Sequence, residues 1–174
     1  MHEIQGTILD FYPQGVDRLY VGEPVTQLEH ARQCGRLAEK SGASAALQLA
    51  SWLHDLGHFW VNSPETPSLR GEDDRHEVVA ADILAPLFGQ AVAEPVRWHV
   101  QAKRYLVTTT PSNPNKLSAD SIRSLNLQGV AMSVQELADF ERLPYFKDAL
   151  KLRVCDDLGK KKSWFEDSSE DALM

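Results

Sequence analysis

Apolar residues return every three or four positions along nearly the whole of this chain, and no alternating run outlasts the helical pattern that overlaps it. A stripe of that period has to be buried against other helices, so the fold class is all-α, a helical bundle. Thr26-Gln-Leu-Glu29 has the spacing of a capping box and predicts a helix from there to about Lys40. Leu28, Ala31, Cys34, Leu37 and Ala38 form its core side, and Gly42 ends it. A second helix runs from about Ser44 through Leu47, Ala50, Leu53 and His54 and falters near Gly57. Asp73 and Asp74 precede a third, with His76, Ala80, Ile83, Leu84 and Leu87 on one side. The next starts near Ala91 or Pro95, where Val96, His99, Val100 and Lys103 share a face. Ser133-Val-Gln-Glu136 is a second capping box, and Tyr145 to Leu158 is the last helix. Asn62 to Asp74 and Val107 to Lys116 read as loops, the latter long enough to be functional.

At 174 residues without a linker or internal repeat, the chain is expected to be one domain over 1–174, with its core at about 20–158. Lys160 to Lys162 read as a solvated helix end, and residues 160–174 as a tail. Eighteen Lys plus Arg against 25 Asp plus Glu give a formal charge of −7, which argues against a nucleic-acid or polyanion surface. It does not argue against a small anion in a locally cationic pocket. No apolar run approaches the length of a membrane span, and MHEIQGTILDFYP lacks the basic and apolar regions of a signal peptide. Cys34 and Cys155, the two cysteines, are expected to be buried free thiols in a reducing, cytoplasmic compartment.

Of six histidines, His30, His54, His58, His76 and His99 fall on or beside core-facing helix positions. One buried imidazole is ordinarily a hydrogen-bonded core residue. So many in a small helical domain are more economically one shared site, and imidazole with carboxylate suits iron, manganese or zinc. His54-Asp55-Leu-Gly-His58 is the most specific element. Adjacent His and Asp point about 100° apart on a helix, so they either meet a metal at the helix end or let Asp55 bridge two. Arg153 precedes Asp156 by one turn, and His99 precedes Lys103 by one turn. Each could be a surface pair or a snorkelling lysine; together they suit a metal site that takes an anion.

His30, the His54-Asp55 pair and Asp156, in that order, resemble the signature of the HD-domain superfamily, and His76 and His99 resemble the added ligands of its dinuclear members. The resemblance implies one metal on His30, His54 and Asp156, another on His76 and His99, and Asp55 between them. The segments Tyr20-Val-Gly-Glu23, Asp73-Asp-Arg-His76-Glu and Glu94-Pro-Val-Arg-Trp-His99-Val-Gln-Ala-Lys103 are similar to the mixed-valent diiron oxygenases of that superfamily, of the 2-amino-1-hydroxyethylphosphonate dioxygenase type. That likeness implies two iron ions, Fe(II)/Fe(III), and cleavage of a carbon–phosphorus bond of a small organophosphonate with O2. The products would be phosphate and glycine, or glycine betaine from a trimethylammonium analogue. It implies that Tyr20 and Glu23 guard the open iron position and that His58, Lys103, Ser121 and Arg153 contact the substrate. Trp52, Trp60 and Tyr105 are available to a quaternary ammonium group, though each also suits the core. A metal-dependent phosphohydrolase or phosphodiesterase with the same ligands is the alternative, and a retained binding module a third reading.

Overall fold

The computed structural model describes residues 23–60, 71, 73–110, 117–129, 131–162 and 164, with the side chains of residues 60 and 120 excepted. Tyr20 lies outside them, as do most of the loop at 62–74, residues 111–116 and the tail beyond 164. Among the described residues the elements are helical: α1 (Gln27–Lys40), α2 (Ala45–Leu53), α3 (Gly57–Trp60), α4 (His76–Phe88), α5 (Gln90–Thr109), α6 (Ala119–Gln128), α7 (Val134–Glu141) and α8 (Phe146–Leu158).

Local chemistry sets the helix starts. Thr26 Oγ1 accepts from the Glu29 N–H at 3.1 Å while Glu29 Oε2 accepts from the Thr26 N–H at 2.7 Å, so the expected capping box forms. Ser133 and Glu136 repeat it at α7. Gly89 alone joins α4 to α5 and serves as the cap of both, with φ 78°, a conformation that costs a residue with a Cβ about 1 kcal/mol or more. The two helices therefore turn back on each other with no slack.

α4 packs along α5, α5 against α2 and α8, and α1 against α2 and α8. Leu47, Ala50, Leu53, Leu56, Ala80, Leu84, Val92, Val96 and Leu152 form the principal core between them. A smaller cluster of Ala102, Met132, Phe140 and Ala149 closes the far end of α5, and Cys34, Ala38 and Cys155 join α1 to α8. Both cysteines are buried and free.

Three details depart from the sequence expectation. Helix α5 continues through Val107 to Thr109, residues read as loop: the Thr110 N–H closes its last turn on the Leu106 carbonyl, and the Thr108 and Thr109 hydroxyls bond back to the Arg104 and Tyr105 carbonyls. Helix α6 was not foreseen; Ser118 caps it by accepting from the Ser121 N–H. Lys160 is not solvated: its side chain is 10 % exposed and turns inward after α8.

Candidate metal centre

The C-terminal end of α2, the turn before α3, the start of α4 and the middle of α5 meet α1 and α8 at one point, where His30, His54, Asp55, His76, His99 and Asp156 are buried and His58 and Asp74 partly so. His30 Nε2 lies 3.3 Å from His54 Nε2, 3.5 Å from Asp55 Oδ2 and 3.4 Å from Asp156 Oδ1. On the other side of Asp55, His76 Nε2 lies 3.7 Å from Oδ1 and 3.2 Å from His99 Nε2. The carboxylate of Asp55 thus faces two groups of imidazoles, one with each oxygen, and His54 Nε2 sits 3.4 Å from Oδ1 between them.

The outer nitrogens show what the inner ones carry. His30 Nδ1 donates to the Gly159 carbonyl at 2.7 Å, His54 Nδ1 to Ser51 O at 3.0 Å and His99 Nδ1 to Val96 O at 2.7 Å. His76 Nδ1 donates to Asp74 Oδ1 at 2.9 Å. A neutral imidazole with its proton on Nδ1 has a lone pair on Nε2. When all four rings are neutral these tautomers aim lone pairs at one another across 3.2 and 3.3 Å, so each pair calls either for a proton on one ring or for a cation between the two. Asp55 Oδ2 is buried without a hydrogen-bond partner among the described residues, which costs several kcal/mol unless a charge offsets it; Asp156 Oδ1 has Lys160 Nζ and His30 Nε2 beside it, each at 3.4 Å. Imidazole nitrogens fixed by outer-shell acceptors, with carboxylates between them, fit divalent or trivalent transition metals.

Burial pushes the His54 and His99 imidazoles below their ordinary value, further for His99, where His76 and His54 add to the effect. Burial acts the same way on His76, but the hydrogen bond and charge of Asp74 outweigh it and push this ring up to about 9. Asp55 and Asp156 are held well below the usual carboxylate range: burial opposes this, and the neighbouring imidazoles, with Arg153 and Lys160 at Asp156, overcome it. Both stay anionic and ready for a cation.

Beside Asp156 stands a wall of buried cations. Arg153 Nη1 pairs with Asp156 Oδ2 at 2.8 Å and Nη2 with Asp157. Lys160 Nζ lies 3.4 Å from Asp156 Oδ1, 3.8 Å from Glu23 Oε1 and 3.1 Å from the Ser121 hydroxyl. Lys103 Nζ donates to Ser124 Oγ at 2.9 Å, and burial, with Arg153 next to it, pushes its pKa down to about 7. His58 stacks on His76 with ring centroids 3.9 Å apart and places Nε2 3.9 Å from Asp55 Oδ1.

The structure thus brings His30, His54, Asp55, His76, His99 and Asp156 together, and places Glu23, His58, Lys103, Ser121 and Arg153 around them. Tyr20 is outside the described residues. Sequence reasoning missed Asp74, Ser124 and Lys160. The only trace of Lys160 is that it falls one turn after Asp156.

A helical bundle with a His-Asp pair at its centre and histidines from the flanking helices defines a class, and the HD-domain family matches residues 27–139. The chain belongs to the HD-domain family. It is 38% identical over 161 residues to the [1-hydroxy-2-(trimethylamino)ethyl]phosphonate dioxygenase (glycine-betaine-forming) of Leisingera caerulea, covering 90% of this chain and 82% of that protein. Over 144 residues it is 45% identical to the hydroxymethylphosphonate dioxygenase of Gimesia maris, covering 82% and 72%. An uncharacterised protein of Acanthamoeba polyphaga mimivirus is 38% identical over 156 residues, covering 88% and 71%. The chain is accordingly an enzyme, an oxidoreductase of the dioxygenase kind. Among the described residues no helix is long and apolar enough to cross a membrane.

Proposed function

We propose that the chain is a non-haem diiron oxygenase that cleaves the C–P bond of a small 1-hydroxyphosphonate with O2 and releases phosphate. The observation that supports this most is the convergence of the Nε2 atoms of His30, His54, His76 and His99 on Asp55, beside a wall of Lys103, Arg153 and Lys160. In this reading His30, His54, Asp55 and Asp156 would hold one iron, and Asp55, His76 and His99 the other. The iron pair supplies one-electron redox chemistry and a Lewis acid for the substrate's oxygens. For 2-amino-1-hydroxyethylphosphonate the products are glycine and phosphate. The carbon bearing the hydroxyl gives up four electrons, the number that O2 takes up, and phosphorus does not change oxidation state.

The chain's own residues orient the substrate. Lys103, Lys160 and Arg153 offset the phosphonate charge in a dry pocket, where such contacts are strengthened. Ser121 and Ser124 offer hydroxyl donors beside them, and His58 Nε2 faces the hydroxyl and amino end. Glu23, next to Lys160, and Tyr20 are proposed to guard the open iron position until substrate arrives.

Two of the three aromatic residues considered for a quaternary ammonium group are packed elsewhere. Trp52 packs on α1, where a Cβ at Gly35 would lie 2.0 Å from its Nε1, and Tyr105 meets Phe140 at a tilt of 52° and Phe146 edge-on. Neither lines the site, and the side chain of Trp60 lies outside the described residues.

The test is anaerobic reconstitution with iron, partial oxidation, and electron paramagnetic resonance with and without 2-amino-1-hydroxyethylphosphonate or hydroxymethylphosphonate. A mixed-valent signal perturbed by substrate, with one phosphate released per O2 consumed, is the expected result. Phosphate released from esters without O2, with Mn(II) in place of iron, would turn the reading toward a phosphohydrolase.

Lys103 gives a further expected result. With its pKa near 7, the ammonium loses charge as pH rises past neutrality, so KM for the phosphonate should climb above pH 7. Lys103→Arg, always charged, should show only the substrate's own ionisation and flatten that climb. Lys103→Ala should raise KM about tenfold or more with iron content unchanged. A wild-type KM profile superimposable on that of the Arg variant would show that Lys103 keeps its charge above pH 7, and an unchanged KM in Lys103→Ala would remove it from the pocket.

A further inference from the structure

Asp74 has no role in the scheme above, yet its carboxylate is shared between two imidazoles of the centre. Oδ1 accepts from His76 Nδ1 at 2.9 Å and Oδ2 from His58 Nδ1 at 2.8 Å, and the side chain is 8 % exposed. Oδ1 also accepts from the His76 backbone N–H at 3.3 Å, at the first turn of α4. The two rings it holds are stacked, with an interplanar angle of 21°, and both present Nε2 to Asp55 Oδ1, at 3.7 and 3.9 Å. The backbone next to it is turned to make this possible. Arg75, between Asp74 and His76, has φ 49° and ψ 36°, the left-handed region. A non-glycine residue pays about 1 kcal/mol or more for that conformation. The turn folds the Asp74 carboxylate back over the first residue of α4.

Elsewhere in the site each outer nitrogen is held by one backbone carbonyl of its own. Here one carboxylate holds two rings. We propose that Asp74 is a positioning residue that sets His76 and His58 as one unit: it fixes the Nδ1–H of both rings and so aims both Nε2 atoms at the half of the centre on the Oδ1 side of Asp55. Metal held by His76 and substrate met by His58 are thereby coupled through a single side chain. The inference rests on the reading of the cluster as a two-metal centre.

An asparagine cannot replace it. Its amide has one acceptor and one donor end, so it can accept from one Nδ1–H while it opposes the other. Removing such an outer-shell partner typically lowers metal affinity 10- to 100-fold.

The test uses the full chain with 15N-labelled histidine and two readouts. In the wild type, the Nδ1–H protons of His58 and His76 should exchange slowly with water. Asp74→Asn should abolish the slow exchange of at least one, and Asp74→Ala of both. In parallel, Mn(II) titration should show the weaker site of Asp74→Asn losing 10- to 100-fold in affinity while the other is within about twofold of wild type. Unchanged exchange in Asp74→Ala, or equal loss at both metal sites, would overturn the proposal. Should the variants not fold, the wild-type spectrum still decides: rapid Nδ1–H exchange on either ring overturns it. Failure of the wild type to take up metal would remove the two-metal reading instead, and the exchange readout would then decide whether Asp74 fixes the two rings.

Discussion

If the centre holds two metals as proposed, Asp55→Ala is expected to leave the chain unable to keep either and to lower O2-dependent phosphate release below about 0.1% of wild type, since among the described residues no other group supplies an oxygen to both halves of the centre. The geometry behind this is the division of one carboxylate: Oδ2 faces His30 at 3.5 Å, and Oδ1 faces His54 at 3.4 Å and His76 at 3.7 Å. Loss of His99 should act differently. It removes one nitrogen from the half containing His76, so His99→Ala should retain metal on the half built from His30, His54 and Asp156. Iron counted per chain after dialysis separates the two variants. Two irons bound to Asp55→Ala would show that the carboxylate does not bridge.

Gly57→Ala should be damaging out of proportion to a single methyl group. A Cβ at position 57 would lie 2.1 Å from the carbonyl oxygen of His76 and 2.8 Å from its carbonyl carbon. Both are backbone atoms at the start of α4, so no side chain can swing aside. The turn bearing Asp55 and the helix bearing His76 must separate by roughly an ångström, the kind of overpacking that costs about 1–3 kcal/mol. That movement also stretches the approach of His76 to Asp55. Urea unfolding should show the stability loss, and metal titration a selective weakening on the His76 side. A variant with wild-type midpoint and metal content would mean that the close approach is not needed.

Much of this architecture is legible in the sequence because its determinants are local. The capping boxes at Thr26 and Ser133 announce themselves by spacing alone, and the stripes through Leu47, Ala80 and Val96 point at the core they form. Helix α6 escaped for the complementary reason: Ile122 and Leu127 are exposed, Leu125 is buried, and Ser rather than Glu stands at the third position after the cap. Its periodic signal is weak because little of it is in the core. The histidines could be grouped because buried imidazoles demand partners. Asp74 and Lys160 could not, since each sits in a run of like residues, Asp73-Asp74 and Lys160-Lys161-Lys162, where only the path of the backbone decides which member turns inward. Periodicity carries no such information outside a helix.

The bond from His30 to the carbonyl of Gly159 closes the centre across 129 positions of chain, and Asp156 lies on the same last helix. A ribosome adds residues in order, and domains fold as units when enough chain has emerged. While α8 is still inside the exit tunnel, His30 has neither its outer acceptor nor its carboxylate neighbour, and the pocket cations Arg153 and Lys160 do not yet exist. The centre is therefore incomplete until α8 has joined the bundle. A nascent chain stalled short of α8 would hold the histidines and Asp55, but neither Asp156 nor the carbonyl that fixes His30.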